Sequence, residues 1–316
     1  IFMKWKNYLY SLSICLLFVS CYNEDALKTS DEENIDRFEF PQGNNTWDED
    51  IQEILDQYGV MLVYKGVTSA DLSRSWMSYA STNNSAEELK DEEVKFLVNY
   101  LKNHIFAYLS PKVTTKVFKP YWFLLKNYFS NGRPLKSNYN GMDFWASCMH
   151  FTEEVYMEKT AGSYYASQWD KYKNLPSTKA EYFSLRGGLL YTILQNAVNL
   201  GNITIPEEYD DGFDYSTEFV TNDPGNANYP YNRGFITASD GFGYFYKITS
   251  RKPVTRLKNF FQYIHLGFYY SDEEIEVQFP RETYPFLREK LDIVKNHLKT
   301  TYGIDLQTIH NGPEID

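Results

Sequence analysis

LRGGLLYTILQNAVNLGNI, residues 185–203, is the stretch on which the reading of this chain turns. Leu190, Ile193, Leu194 and Ala197 recur at intervals of three and four, the period of one helix face. Ser177 or Thr178 upstream is of the type that caps a helix N-terminus, and Gly201 stands where a helix stops. The only charged side chain in the stretch is Arg186.

Working outward, the same period recurs on both sides. Ile51, Ile54, Leu55 and Tyr58 predict a helix ended by Gly59, followed by VMLVYK (60–65) as a short buried strand. Ser85 with Glu88 reads as a capping box. The helix it would open carries Val94, Leu97, Val98, Leu101, Ile105 and Tyr108 and stops before Pro111. KVTTKVF and YWFLLKNYF, split by Pro120, read as a hairpin, with turn signals at 131–134 and 138–141. Residues 143–159 read as helix rather than strand. Residues 202–247 are rich in Gly, Asn, Pro, Asp and Tyr, and a stretch of that length suggests a functional loop or an ordered excursion over the surface. Leu257, Phe260, Phe261, Ile264 and Phe268 predict another helix, and Leu287, Leu291, Val294 and Leu298 the last. The sum is an α+β fold: a mostly helical single domain over 40–316 with a small sheet in its N-terminal half.

The N-terminus reads differently. Met3 reads as the start, Lys4 and Lys6 as a positive n-region, and Leu9–Val19 as an apolar run of signal-peptide length, too short to span a bilayer. Ser20-Cys21 closes it like the lipobox of bacterial lipoproteins, although Phe18 is an unusual lipobox start. The reading is a signal peptide over 1–20, lipidation of Cys21, and an acidic tether over 21–39 with no apolar period. A plain secretory signal with an incidental cysteine is the alternative. Glu24 and Asp25 match the acidic signal that sends such lipoproteins to the outer face of the outer membrane.

Charge narrows the partners. The chain has 42 acidic and 31 basic residues, net −11, and loss of Lys4 and Lys6 with the leader deepens this to −13. Such a surface disfavours nucleic acid, and it leaves the lipid as the membrane anchor. With Cys15 cleaved and Cys21 acylated, Cys148 is the one remaining thiol, so neither an internal disulfide nor a multi-cysteine zinc site is available. Cys148 lies in the apolar run FWASCMHF and reads as a buried structural residue.

Several segments together resemble a family of zinc-binding metallopeptidase-like lipoproteins of Bacteroidetes. FPQGNNTWDEDIQEILDQYGVMLVYKGVTSADLSRSW (40–76) resembles the family's opening, IPEEYDDGFDYST (205–217) the stretch after its zinc helix, RGFITASDG (233–241) the approach to its third ligand, and LREKLDIVKNHLKTTYGIDLQTI (287–309) its closing helix. The resemblance implies a gluzincin-like scaffold with His-Glu-x-x-His on a helix and a later acidic ligand. Two histidines at i and i+4 hold one zinc while the glutamate activates water. In register, those five positions are Leu190, Tyr191, Thr192, Ile193 and Leu194, and the third-ligand region is the basic TSRKPVTRLK (249–258). The family's catalytic residues have no counterpart here, so catalytic residues and cofactor are both expected to be none.

Other chemistry is thinner. His150 and Glu154 would share a helix face and are the best substitute metal pair, with a surface ion pair as the plainer reading. His104 reads as structural. The acidic groups Glu207/Glu208, Asp210/Asp211 and Asp272/Glu273/Glu274 read as solvated surface. Gly-rich phosphate loops and a serine elbow are lacking. The aromatic content, 18% of the chain, is the positive signal. Trp169, Tyr229, Tyr231, Tyr244 and Tyr246 are candidates for a platform on which a sugar ring or peptide side chain stacks. The functional expectation is an outer-membrane, surface-facing lipoprotein that binds peptide or oligosaccharide beside a nutrient importer. A zinc peptidase with an unusual ligand set and a purely structural lipoprotein are the alternatives.

Overall fold

The computed structural model describes residues 37–73, 83–139 and 144–314. Cys21, the leader and nearly all of the tether lie outside them. The contacts divide the chain between Glu39 and Phe40, and residues 40–316 form one compact unit. It is α+β: helices α1 (Thr46–Tyr58), α2 (Ser69–Leu72), α3 (Asp91–His104) and α4 (Pro111–Thr114) alternate with β1 (Met61–Val63), β2 (Asn84–Glu87) and β3 (Tyr121–Ser130). Then follow β4 (Arg133–Pro134), β5 (Ser137–Asn138) and β6 (Phe144–Cys148), and the helices α5 (Glu153–Thr160), α6 (Lys179–Asn199), α7 (Arg256–Tyr269), α8 (Asp272–Gln278), α9 (Pro285–His297) and α10 (Leu306–Asn311).

β3 is the axis of the sheet. It pairs in parallel with β1 and β6 at one end and antiparallel with β2 and β4 at the other. Parallel pairing of β1 with β3 needs a crossover, and α3 lies within it. The register slips between Ser85 and Glu87 opposite β3. There Asn127 adopts φ 48°, a left-handed residue placed as a bulge. Its amide donates to Thr152 Oγ1 and its carbonyl accepts from Thr152 N, both at 2.8 Å, so the bulge is pinned to the start of α5.

Four local expectations are corrected. KVTTKVF is not a strand: Pro111 opens α4, which carries Val113 and ends at Thr114, and Lys116 at φ 60° turns the chain before the buried Val117. β3 therefore has no hairpin partner there. Residues 144–148 form a strand buried at every position, and the helix begins only at Glu153. Five residues are too few for a helix of their own, and a continuous apolar run suits a strand covered on both faces. Ser85 lies in β2 and caps nothing. α3 starts at Asp91, with Glu93 Oε2 accepting from Lys90 N at 2.8 Å. Glu88 instead accepts from Gly66 N at 2.7 Å. Leu257 projects into solvent, although the rest of its predicted face is buried.

The helical half is built around α7, whose residues 259–268 are all buried. α6 packs against it with Leu189, Leu190, Ile193, Leu194, Ala197 and Val198 inward. Arg186 is 1% exposed and, among the described residues, stands in no ion pair. Its Nε donates to Ile309 O at 2.7 Å and its Nη2 to His310 O at 2.9 Å, so the charge sits on the carbonyl end of α10, where the helix dipole favours a cation. Its Nη1 meets His104 Nδ1 at 3.3 Å. That ring is stacked against Tyr100 and Tyr182. Burial, and then the Arg186 charge, lower His104 to about 4, which keeps it neutral.

The 202–247 excursion is ordered. Arg233 lies over Phe219 and Phe235 and donates to the carbonyls of Thr217 and Asp214, which clips the loop to itself. Phe219, Phe235 and Ile248 form a small core of their own beneath it. Among the described residues no helix is long and apolar enough to cross a membrane.

Candidate functional site

A cleft of about 270 Å³ opens beside α6, at the turns the resemblance would assign to zinc. One wall is Tyr191, Gln195 and Asn199, four residues apart on α6; another is the start and middle of α7. A hairpin over 237–246 forms the third. It is closed by Ser239 N to Tyr244 O and Tyr246 N to Thr237 O, each 3.0 Å, with a bridge between Ala238 and Phe245.

Two glycines seat that hairpin. Phe242 at its tip stacks on Phe268, with ring centroids 5.6 Å apart, and drives its ring onto α6 at Gly187. A Cβ on Gly187 would meet that ring at 2.1 Å. A Cβ on Gly243 would lie 2.2 Å from Ser239 Oγ, so a larger residue there would push that hydroxyl aside. Gly241 N then donates to Tyr191 Oη at 3.3 Å, tying the hairpin to the α6 wall.

The floor of the cleft is polar inside an aromatic shell. Tyr191, Phe242 and Phe245 ring His265, with centroids 4.9, 5.7 and 4.9 Å away. His265 is 1% exposed, and burial lowers it to about 3, so the ring is neutral. Among the described residues its Nε2 has no hydrogen-bond partner; neither do Gln262 Oε1 and Ser239 Oγ, which line the same cleft. Gln262 is 4% exposed. Buried polar atoms are nearly always paired, and each one left unpaired costs about 1–3 kcal/mol. Three such atoms line one cleft, where a molecule of matching polarity would complete the hydrogen bonding. At the mouth stand Asp240, Thr255, Leu257 and Lys258.

Of the expected aromatic platform, only part is found here. Tyr244 and Tyr246 are 64% and 43% exposed on the outer side of the hairpin, with ring centroids 6.3 Å apart. Tyr229 is buried, and Tyr231 packs edge-on against Phe279 and Tyr284 of the helical core. Trp169 packs on Tyr156 at 5.1 Å. Among the described residues no ring contact joins these groups, so the five do not form one surface. Gln262 and His265 escaped the sequence reading. Their signal was two polar residues inside FFQYIHLGF, a run otherwise apolar on every side of the helix.

The metal expectations resolve into packing. Leu190 and Leu194, where the resemblance would need histidines, are 0% exposed in the apolar core, and Ile193 lies beside them. Those positions do not fit zinc. His150 precedes α5 and does not share a helix face with Glu154. Its Nε2 lies 3.0 Å from Glu93 Oε1, which also accepts from Lys126 Nζ at 2.6 Å. Burial pushes the Glu93 carboxyl up, but Lys126 and the Lys90 amide outweigh it and hold it below its ordinary range. Burial lowers His150 despite that carboxylate. Among the described residues no three His, Cys, Asp or Glu side chains gather as a metal site. Cys148 donates to His150 O at 3.3 Å, and burial pushes its thiol up to about 12, which leaves it unreactive.

The acidic clusters are also in use. Asp210 accepts from Arg256 Nε at 2.6 Å, Asp272 pairs with Lys295, and Glu274 accepts from Ser271 N at 2.8 Å at the start of α8. A larger groove of about 840 Å³ runs along α1 past Asp48, Glu49, Glu53 and Asp56. It is open, and no unpartnered buried polar atom lies among its lining residues. No protein-family model, curated protein or solved structure matches the chain.

Proposed function

We propose that this chain is an exported lipoprotein, anchored through Cys21, that binds a small polar unit of a peptide or oligosaccharide without reacting with it. The observation that carries the binding reading is the trio of unpartnered buried atoms, His265 Nε2, Gln262 Oε1 and Ser239 Oγ, in one aromatic-walled cleft. A volume of about 270 Å³ suits one sugar ring or one residue rather than a long chain. The non-catalytic reading rests on chemistry. The cleft sets a neutral histidine beside Ser239 with Asp240 as the one carboxylate in its lining, the two zinc-histidine positions of the resemblance are both leucine, and the position of its glutamate is Tyr191. The leader and acidic tether support a location at the outer face of the outer membrane, and such a position suits delivery to a nutrient importer.

Calorimetric titration of the purified protein against panels of oligosaccharides and short peptides tests this. At least one panel member should bind, and Gln262→Leu should weaken it roughly five- to tenfold, since one lost hydrogen bond in a closed site is worth about 1–1.5 kcal/mol. Binding that Gln262→Leu leaves untouched would place the ligand elsewhere. Turnover of a peptide that depends on bound zinc would overturn the non-catalytic reading.

A further inference from the structure

The cleft beside His265 has a neighbour. Phe219, Phe235, Ile248 and Val254 wall a second cavity of about 200 Å³. Lys258 lines both cavities, and the adjacent residues Thr237 and Ala238 face one each. Their chemistries differ. The first has the unpartnered Gln262, His265 and Ser239 at its floor; the second sets the apolar Phe219, Phe235, Ile236, Ile248 and Val254 against a hydroxyl-bearing side of Thr237, Thr249 and Ser250. Tyr246, which packs on the exposed Tyr244, extends the apolar edge of the second toward solvent.

The junction is positive. Thr255 caps α7, with its Oγ1 accepting from Lys258 N at 3.3 Å, so Lys258 stands on the first turn of the helix, at the positive end of its dipole. Arg256 is paired with Asp210 and Arg251 with Glu218. Among the described residues neither Lys258 nor Lys252, which also lines the second cavity, stands in an ion pair, in a chain of net −11. Asp240 across the first cavity is likewise outside any ion pair and offers acceptors to hydroxyl or amide hydrogens.

We infer that the two cavities are one site for an amphipathic anion: a hydrogen-bonding head in the first, a carboxylate or phosphate at Lys258, and a short apolar group in the second. The inference rests on the first cavity being the binding site proposed above. Calorimetry with four probes below their micelle concentrations tests it: N-octanoyl-L-glutamine, octyl glucoside 6-phosphate, neutral octyl glucoside, and octanoate. At least one of the first two should bind tenfold or more tightly than both of the last two, and which one does so assigns the head to an amino-acid or a sugar source. Lys258→Gln, a surface change that leaves the fold intact, should abolish that advantage, while Gln262→Leu should weaken the headed anions and leave octanoate unchanged. Equal binding of neutral octyl glucoside, or anion binding indifferent to Lys258→Gln, overturns the inference. If none of the four binds while a neutral oligosaccharide or peptide does so in a Gln262-dependent way, the bipartite site falls and the first cavity stands; if nothing binds at all, both fall.

Discussion

Arg186 and the two buried histidines account for much of what single residues do in this protein. Arg186 ties α6 to the carbonyl end of α10, and its loss strands the acceptors of Ile309 and His310. Arg186→Met should therefore destabilise by roughly 3 kcal/mol, read as a fall in the denaturant midpoint at constant slope. His104 and His265 set the acid limit. Burial lowers them to about 4 and about 3. An unfolded histidine titrates near ~6.5. Below that pH the unfolded chain takes up protons that the folded chain refuses, so stability falls as pH drops toward the folded values. Each histidine contributes up to about 1.4 kcal/mol per pH unit. Unfolding followed from pH 7 to 4 should show a shallower dependence in His265→Gln than in the parent; an identical slope would mean that His265 is charged in the fold. The structural role of His104 was legible because it lies among aromatics on an amphipathic helix. The role of Gln262 and His265 was not, because a polar residue on a buried helix face looks alike whether it closes a hydrogen-bond network or opens onto a cavity.

At the scale of elements, periodicity located α1, α3, α6, α7 and α9 and failed where segments were short. α4 and β6 have four and five residues, less than the span over which a period declares itself. In KVTTKVF the β-branched composition reads as strand, while Pro111 starts a single helical turn that ends at Thr114. The 202–247 excursion was readable as ordered, but not the hairpin within it, which is held by tertiary contacts of Phe242. Adjacent glycines on α6 separate local propensity from that contact. Gly188 has open space around its Cα, so Gly188→Ala should stabilise by about 0.5–1 kcal/mol. Gly187→Ala gains the same propensity but collides with Phe242, so it should destabilise by about 1–3 kcal/mol and weaken ligand binding by unseating the hairpin. Thermal unfolding of the two variants side by side checks this. Stabilisation by both would show that Phe242 does not rest on α6.

At the scale of the whole molecule, the α+β class and a small sheet in the N-terminal half followed from the sequence. The position of the cleft did not, because it joins residues 191–199, 238–240 and 255–265, and only folding brings these together. The stretch that the resemblance drew attention to is α6: Leu190, Ile193 and Leu194 serve the core, while Tyr191, Gln195 and Asn199 face the cleft. The anchor is tested separately. Cys21→Ser should abolish palmitate incorporation and move the protein from the membrane to the soluble fraction; membrane retention without lipid would contradict it. The claim that the cleft is the binding site is tested most directly by hydrogen–deuterium exchange with and without a ligand found by titration. The account predicts ligand-dependent protection confined to 236–246, 255–265 and the facing turns of α6. Protection along the α1 groove at 41–57, with none around His265, would contradict it.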